Sequence, residues 1–256
     1  MAPLSQVIMK AVQTKIKLCD LKTYEDVNKL VNSSVSIFPT EIKTSEEKKQ
    51  AYTQYSEKLL QEYYDTNRDG ITTVEEFAQK EKKSSEKAIK LTSNHLSQQT
   101  IDNLEKDKDM LKFYDSNGDG KISTDEYNKG LAELGLSDLV QSNELSEQEK
   151  RIAQNGANLF ATNLDMNGDG KISTNEFAFF NEQADKCDGK ADGIITNAGE
   201  SAMFQAVTGM NANDKEINRV VNKFLLGEIL TAEEQKTLER GTATIRNSMK
   251  NAAGLE

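Results

Sequence analysis

The chain has 256 residues, of which 36% are hydrophobic, so it is long enough for one large domain or two small ones. Its formal net charge of −10 disfavours nucleic acid as a partner because phosphates would be repelled, and it favours the binding of cations or basic segments. No stretch approaches the roughly 18 consecutive apolar residues that a membrane helix needs, so we expect no membrane span.

The N-terminal residues 1–44 are predicted to form a helical segment. Leu4, Ile8 and Ala11 fall on one mostly apolar helical face, and a second short helix is predicted around residues 27–31. The segment lacks the continuous apolar stretch that is typical of a signal peptide. We therefore expect a cytoplasmic protein, while a secreted or surface location stays open.

Three polar segments then recur at a constant spacing of 50 residues. They read DTNRDGITTVEEF from Asp65, DSNGDGKISTDEY from Asp115 and DMNGDGKISTNEF from Asp165. An apolar patch suited to a helix end precedes each segment, and an aromatic residue follows it, so the repeat is predicted to be helix, polar loop, helix. Capping boxes, in which Ser or Thr precedes Glu by three residues, indicate further helix starts at Thr44, Ser146 and Thr231.

The second segment indicates which ligand such a loop would hold. Carboxylates this near one another repel, so either a cation offsets the repulsion or the segment stays an open, solvated loop. Calcium takes about six to eight oxygen ligands at about 2.3–2.6 Å. Asp115, Asn117 and Asp119 offer side-chain oxygens, and Lys121 offers its backbone carbonyl. Glu126 would close the coordination sphere with both carboxylate oxygens.

These loops resemble the calcium-binding loops of the EF-hand family. The pattern is Asp-x-Asn-x-Asp-Gly-x5-Glu, and the second and third loops match it in full. The resemblance implies two to three bound Ca2+ ions and leaves a fourth open. The implied metal ligands are Asp65, Asn67, Asp69, Ile71, Glu76, Asp115, Asn117, Asp119, Lys121, Glu126, Asp165, Asn167, Asp169, Lys171 and Glu176.

The first loop departs from the other two at its centre. Thr72 stands where the second and third loops have Ile122 and Ile172, and Arg68 adds a positive charge inside the loop. We expect this loop to bind calcium more weakly than the third.

A fourth segment, DGKADGIITNAGE from Asp188, matches the pattern only in part. Lys190 replaces the oxygen ligand of the third position, and Gly199 stands where the closing glutamate belongs. Asp185 could enter this loop through an insertion. Two alternatives stay open: the loop binds calcium, or it only pairs structurally with the third loop.

The predicted fold class is all-α, with multiple EF-hand helix–loop–helix units, short inter-loop β pairs and flanking helices. The first and second loops are expected to pair, with a linker or a helix start near residues 83–95. The predicted segments are an N-terminal helical segment (1–44), an EF-hand pair (45–135, loops 65–76 and 115–126), an EF-hand with a degenerate hand (146–210, loops 165–176 and about 188–199) and a C-terminal helical segment (211–256).

The third and fourth loops leave room for only one short helix between them. This spacing resembles that of dockerin modules, whose calcium loops each keep one flanking helix, and the resemblance would cover residues 158–210. An ordinary hand at the third loop is the favoured alternative, because an apolar patch precedes Asp165 and Glu176 closes the loop.

The predicted function is calcium-ion binding, as a sensor or a buffer. The alternatives are a calcium-stabilised structural protein-interaction module and a regulatory calcium-binding subunit of an enzyme. We expect no catalytic activity, because the single histidine, His95, lies in a polar stretch and no nucleophile motif is present. Beyond calcium ions, a target protein or an amphipathic helix is the expected partner. Cys19 and Cys187 are expected to be ordinary reduced thiols.

Overall fold

A computed structural model describes residues 35–38, 44–136, 144–187, 191–195, 197–210 and 212–255. The helices predicted within residues 1–34 lie outside this part of the chain. The chain divides into two units. The first comprises the described residues up to Ala88 and those from Glu147 onward, and the second comprises Ile89–Ser146.

Most of the described residues are helical, so the all-α class is confirmed. The helices are α1 (Ser45–Leu59), α2 (Val74–Leu104), α3 (Lys108–Tyr114), α4 (Thr124–Glu133), α5 (Glu147–Leu164), α6 (Thr174–Lys186), α7 (Asn197–Thr208), α8 (Lys215–Leu225) and α9 (Ala232–Ala253). A π-helical turn, Leu60–Tyr64, continues α1 to the first loop. No helix in the described ranges is long and apolar enough to cross a membrane.

Capping boxes start several of these helices. Thr44 caps α1, and Thr231 caps α9, as their sequence patterns predict. Ser123 and Ser173 start α4 and α6 in the same way, from the ninth position of the second and third loops. Each box satisfies backbone amides that the first helical turn would otherwise leave without a partner.

Helix α2 runs through residues 83–95 without a break, so the linker or helix start expected there is wrong. Two local contacts accompany the continuous helix. The hydroxyl of Ser85 donates to the Glu81 carbonyl at 2.8 Å, and Lys82 lies 3.7 Å from Glu86 in an i,i+4 ion pair. Ser85 is therefore compatible with a helix interior, although serine often occurs in turns.

The aromatic residues that flank the loops build the core of the first unit. Tyr64 stacks on Phe77, with ring centroids 4.0 Å apart, and both side chains are buried. Phe77 also meets Phe160 and Phe177 edge to face at 5.5 and 5.8 Å. The residues before and after the first loop thus pack against those before and after the third loop.

The first loop pairs with the third loop. The Ile172 amide donates to the Thr72 carbonyl at 2.8 Å, and the Val74 amide donates to the Gly170 carbonyl at 3.0 Å. A single antiparallel bridge joins Thr73 to Lys171. The predicted pairing of the first loop with the second is therefore wrong, because the unbroken α2 leaves no turn for a two-helix hairpin.

A second pairing involves the segment after the third hand. Strand β1 (Val35–Ser36) pairs antiparallel with β2 (Ile194–Ile195). The Ile37 amide extends this contact by donating to the Gly193 carbonyl at 2.7 Å. The fourth segment therefore pairs with residues near the N-terminus, rather than with the third loop as one alternative proposed.

The second unit contains one hand, formed by α3, the second loop and α4. Its core joins Ile101 of α2 to Tyr114 and Ile122. Among the described residues, the short inter-loop β pair expected for the second loop is not seen at Ile122. The Ile122 amide donates instead to the Glu105 carboxylate, Oε1, at 2.8 Å.

Two helices flank the third loop, α5 before it and α6 after it. The dockerin-like arrangement, with one flanking helix for each loop, is therefore wrong for this loop. The single helix predicted between the third and fourth loops is confirmed as α6. It packs against α1, where Asn181 Nδ2 donates to the buried Ser56 hydroxyl at 2.9 Å.

Candidate metal-binding loops

In the first loop, the aspartate at position one organises the turn. Asp65 Oδ1 accepts a hydrogen bond from the Arg68 amide at 2.7 Å, and its Oδ2 accepts one from the Gly70 amide at 2.8 Å. Asn67 Oδ1 accepts from the Asp69 amide at 2.8 Å, and Asp69 Oδ1 accepts from the Ile71 amide at 2.8 Å. These contacts wrap the predicted ligand residues into one compact loop.

The closing glutamate joins the two ends of the first loop. Glu76 Oε1 accepts from the Thr66 hydroxyl at 2.8 Å and from the Asn67 amide at 3.3 Å. Its Oε2 accepts from the Thr73 amide at 3.1 Å. Burial alone would raise the pKa of Glu76, but the hydrogen bonds from Thr73, Thr66 and Asn67 lower it to about 2. The carboxylate is therefore charged at neutral pH, as a calcium ligand must be.

The second loop repeats this network. Asp115 accepts from the Gly118 amide at 2.7 Å and from the Gly120 amide at 2.8 Å. Glu126 accepts from the Ser123 amide and the Ser116 amide, each at 3.0 Å. The hydrogen bonds from the Ser123 amide and hydroxyl are the main reason why the pKa of Glu126 falls to about 2.

The third loop has the same geometry and is the most buried. Asp165 accepts from the Gly168 amide at 2.7 Å and from the Gly170 amide at 2.9 Å. Glu176 accepts from the Met166 amide at 2.7 Å and from the Ser173 amide at 2.8 Å. Asp165 and Glu176 are both buried.

The remaining predicted ligands have equivalent positions in the second and third loops. Asn117 and Asn167 accept from the amides of Asp119 and Asp169 at 2.8 and 2.9 Å. Each of these aspartates accepts from the amide of the lysine that follows two residues later, at 2.9 Å in both loops. These lysines are Lys121 and Lys171, whose carbonyls are the predicted ligands.

The donor set fits a hard divalent cation. Each loop offers carboxylate, amide and backbone carbonyl oxygens, and calcium prefers oxygen ligands of these kinds. Within the described ranges, no group of three or more His, Cys, Asp or Glu side chains is gathered closely enough to hold a metal by itself. A calcium site here would therefore depend on the asparagine and the backbone carbonyl as well as on the carboxylates.

The fourth segment departs from this geometry. Asp185, buried at the end of α6, accepts from the Gly193 amide at 2.8 Å, so it takes the part that the first aspartate has in the other loops. The Tyr52 hydroxyl donates to the same carboxylate oxygen. Burial is the main reason why the pKa of Tyr52 is raised, and the hydrogen bond to Asp185 raises it further. The Tyr52 hydroxyl therefore stays neutral and donates a hydrogen bond. Asp188 and Lys190 lie outside the described residues.

Two contacts at the loops were missed from the sequence. Glu105 binds the Ile122 amide from outside the second loop, and Arg246 lies beside Gly168 of the third loop. Both arise from elements that the loop pattern does not include, so the pattern gives no signal for them. The hydroxyls of Thr66 and Ser116 were also missed, although a hydroxyl at position two in both loops is visible in the sequence.

A comparison with protein families supports the resemblance. The EF hand family model matches residues 108–132 and 163–180, which include the second and third loops, so the resemblance to EF-hands is confirmed at these segments. No curated protein matches the chain, and no solved structure matches it.

Proposed function

We propose that the chain binds calcium ions at its first, second and third loops and acts as a calcium sensor or buffer. The observation that carries this proposal is the common hydrogen-bond network of the three loops. In each, an aspartate at position one holds the turn and a glutamate at position twelve joins its ends. The first loop lies outside the segments that the family model matches, but it has the same network.

The loop residues would divide the work of holding the ion. The aspartates at positions one and five and the closing glutamate supply negative charge. The asparagine and the carbonyl at position seven supply neutral oxygens. A bound calcium ion supplies two positive charges that offset the repulsion among the carboxylates. The loop amides already hold these carboxylates near one another, which reduces the entropy lost when the ion binds.

Calcium-dependent fluorescence of an apolar dye distinguishes the sensor from the buffer. A sensor opens its helix pairs and exposes apolar surface when calcium binds, whereas a buffer barely opens. Dye fluorescence and thermal melting should be measured in millimolar calcium and in chelator. We expect calcium to raise the melting temperature, because an ion that binds only the folded state stabilises it. Equal melting temperatures would overturn the proposal. If calcium raises the melting temperature, a calcium-dependent gain in dye fluorescence indicates a sensor, and unchanged fluorescence indicates a buffer.

A structural role is the second candidate, and the contact between the first and third loops favours it. The bridge from Thr73 to Lys171 joins segments that are remote in the chain, so ions in both loops would hold the first unit together. The alternative predicts that the first unit is largely unfolded in chelator at 25 °C. A native circular dichroism spectrum and a cooperative melt in chelator would exclude it.

We propose that the chain has no catalytic activity, supported by the lack of a nucleophile motif in its sequence. We also propose a cytoplasmic location, supported by the low cysteine content. Cell fractionation tests the location, and a regulatory role beside a separate enzyme would appear as a co-purifying catalytic subunit.

A further inference from the structure

Helix α9 brings a positive charge to the third loop. A β-carbon built on Gly168 would lie 3.9 Å from both Cζ and Nη1 of Arg246. Gly168 is the fourth residue of the loop, and its neighbours in the chain are the predicted ligands Asn167 and Asp169. The guanidinium therefore lies beside the backbone that joins two predicted calcium ligands.

Apolar packing fixes this part of α9. Met249 is buried and Ile245 is partly buried in the same cluster as Met166, the second residue of the third loop. Met166 is 1% exposed, whereas Thr66 and Ser116 at the same position of the other loops are exposed. Because Arg246 follows Ile245 on the same helix, its backbone is held near the third loop by contacts that need no ion.

The other two loops provide an internal comparison. In the first loop, the fourth position is Arg68 itself, which takes a left-handed conformation with φ of 62°. In the second loop, this position is Gly118, and no atom of the described residues lies within 4 Å of its β-carbon position. The first and third loops, which pair with each other, thus each have an arginine close to position four. In the first loop it is the loop residue Arg68, and in the third loop it is Arg246 from α9.

We propose that Arg246 is an affinity-setting residue of the third loop, whose charge weakens calcium binding there and stabilises the loop when no ion is bound. This inference rests on the proposed calcium binding. A unit charge within about 10 Å of a divalent cation changes the binding constant by a factor of roughly three to ten, even at the dielectric constant of water. Salt screens this repulsion, because the Debye length falls from about 10 Å at 0.1 M to about 3 Å at 1 M.

The test isolates the third loop in the full-length chain. Glu76→Gln and Glu126→Gln together weaken the first and second loops, so that calcium calorimetry reports the third. Arg246→Gln, Arg246→Lys and the control Arg240→Gln are then compared in this background, at about 0.1 M and about 1 M salt. Arg240 is exposed on the same helix and forms its ion pair with Asp214, so it matches the change in charge without approaching the loop.

We expect Arg246→Gln to bind calcium about three to ten times more tightly than the background at low salt, with less than a twofold gain at high salt. Arg246→Lys and Arg240→Gln should stay within about twofold of the background. In chelator, the melting temperature of Arg246→Gln should be lower than that of Arg246→Lys. The positive charge that opposes calcium binding stabilises the loop when no calcium is bound.

Unchanged affinity in Arg246→Gln would overturn this inference while leaving calcium binding intact. Equal changes in Arg246→Gln and Arg246→Lys would also overturn it, because they would indicate packing rather than charge. If the background itself shows no saturable binding at millimolar calcium, the proposed function fails for the third loop, and the inference fails with it.

Discussion

At the scale of the residue, Glu81 is a carboxyl group held in the interior of the protein. It is fully buried on α2, and its Oε1 accepts a hydrogen bond from the Tyr64 hydroxyl at 2.7 Å. Among the described residues, no polar atom pairs with its Oε2. Burial raises the pKa of Glu81 to about 8, although the hydrogen bond from Tyr64 partly opposes this shift. The group is therefore mainly protonated in the folded state at neutral pH.

This shift predicts how stability depends on pH. The unfolded chain releases the Glu81 proton near the ordinary pKa of 4.5, whereas the folded chain keeps it until about pH 8. The stabilisation is fully present below pH 4.5 and is lost as the pH rises through 8, since the folded state binds more protons between these values. The free energy of unfolding in chelator should thus fall by a few kcal/mol across this window.

Glu81→Gln tests this prediction. The glutamine amide imitates the neutral carboxyl and still accepts a hydrogen bond from Tyr64. The variant should match the wild type near pH 5 and exceed its melting temperature near pH 8, in melts recorded in chelator. Glu86→Gln, on the same helix and within an ion pair, is the control and should keep the pH dependence of the wild type. If the melting temperature of Glu81→Gln fell with pH as steeply as that of the wild type, Glu81 would not be the group responsible for the pH dependence.

At the scale of the element, two helical glycines predict opposite effects of the same substitution. A β-carbon at Gly156 of α5 would meet no atom of the described residues within 4 Å, outside the backbone of its own helix. A β-carbon at Gly130 of α4 would lie 2.2 Å from Cε1 of the buried Tyr114. The first site has room for a methyl group, and the second requires the aromatic ring to move.

Gly156→Ala should raise the free energy of unfolding by about 0.5–1 kcal/mol, because alanine favours the helix over glycine. Gly130→Ala should lower it by about 1–3 kcal/mol, because the methyl group overpacks the contact with Tyr114. Chemical denaturation followed by far-ultraviolet circular dichroism measures both. Shifts of the same sign in the two variants would contradict the packing described for α4 and α5.

The first and third loops also invite comparison as elements. Arg68 has a left-handed backbone conformation, which carries a steric cost for a residue with a β-carbon. Its positive charge also lies within the first loop. Gly168 takes the equivalent conformation with φ of 75° and without that steric cost. We expect the first loop to bind calcium more weakly than the third, even with Arg246 nearby. Nuclear magnetic resonance titration, following the Gly70 and Gly170 amides, measures the two sites, and the reverse order would contradict this expectation.

At the scale of the whole molecule, local patterns in the sequence predicted the elements better than their pairing. The three loops, the helices around them and the caps at Thr44 and Thr231 follow from short-range spacing, and the structure has them where the pattern puts them. The pairing of the first loop with the third depends on contacts between remote residues, such as Thr72 with Ile172. Neither loop encodes the identity of its partner.

The parts of the site that sequence could not predict come from outside the loops. The Glu105 carboxylate accepts the hydrogen bond from the Ile122 amide that a partner loop would otherwise accept. Arg246, on α9, lies beside Gly168 of the third loop. At the fourth segment, the Gly193 amide donates to Asp185, which lies three residues before Asp188. A pattern with fixed spacing starts at Asp188, so it does not predict this contact. Such contacts depend on tertiary packing, which one sequence without its fold does not specify.

The central claim is that three loops each bind one calcium ion, and calorimetric titration of the full chain tests it most directly. The wild type should bind three ions. Glu76→Gln, Glu126→Gln and Glu176→Gln should each weaken one site, because each removes the closing charge of one loop. Glu133→Gln, on the exposed end of α4, should leave all three sites intact. No saturable heat at millimolar calcium, or wild-type stoichiometry and affinity in all three closing-glutamate variants, would contradict the account.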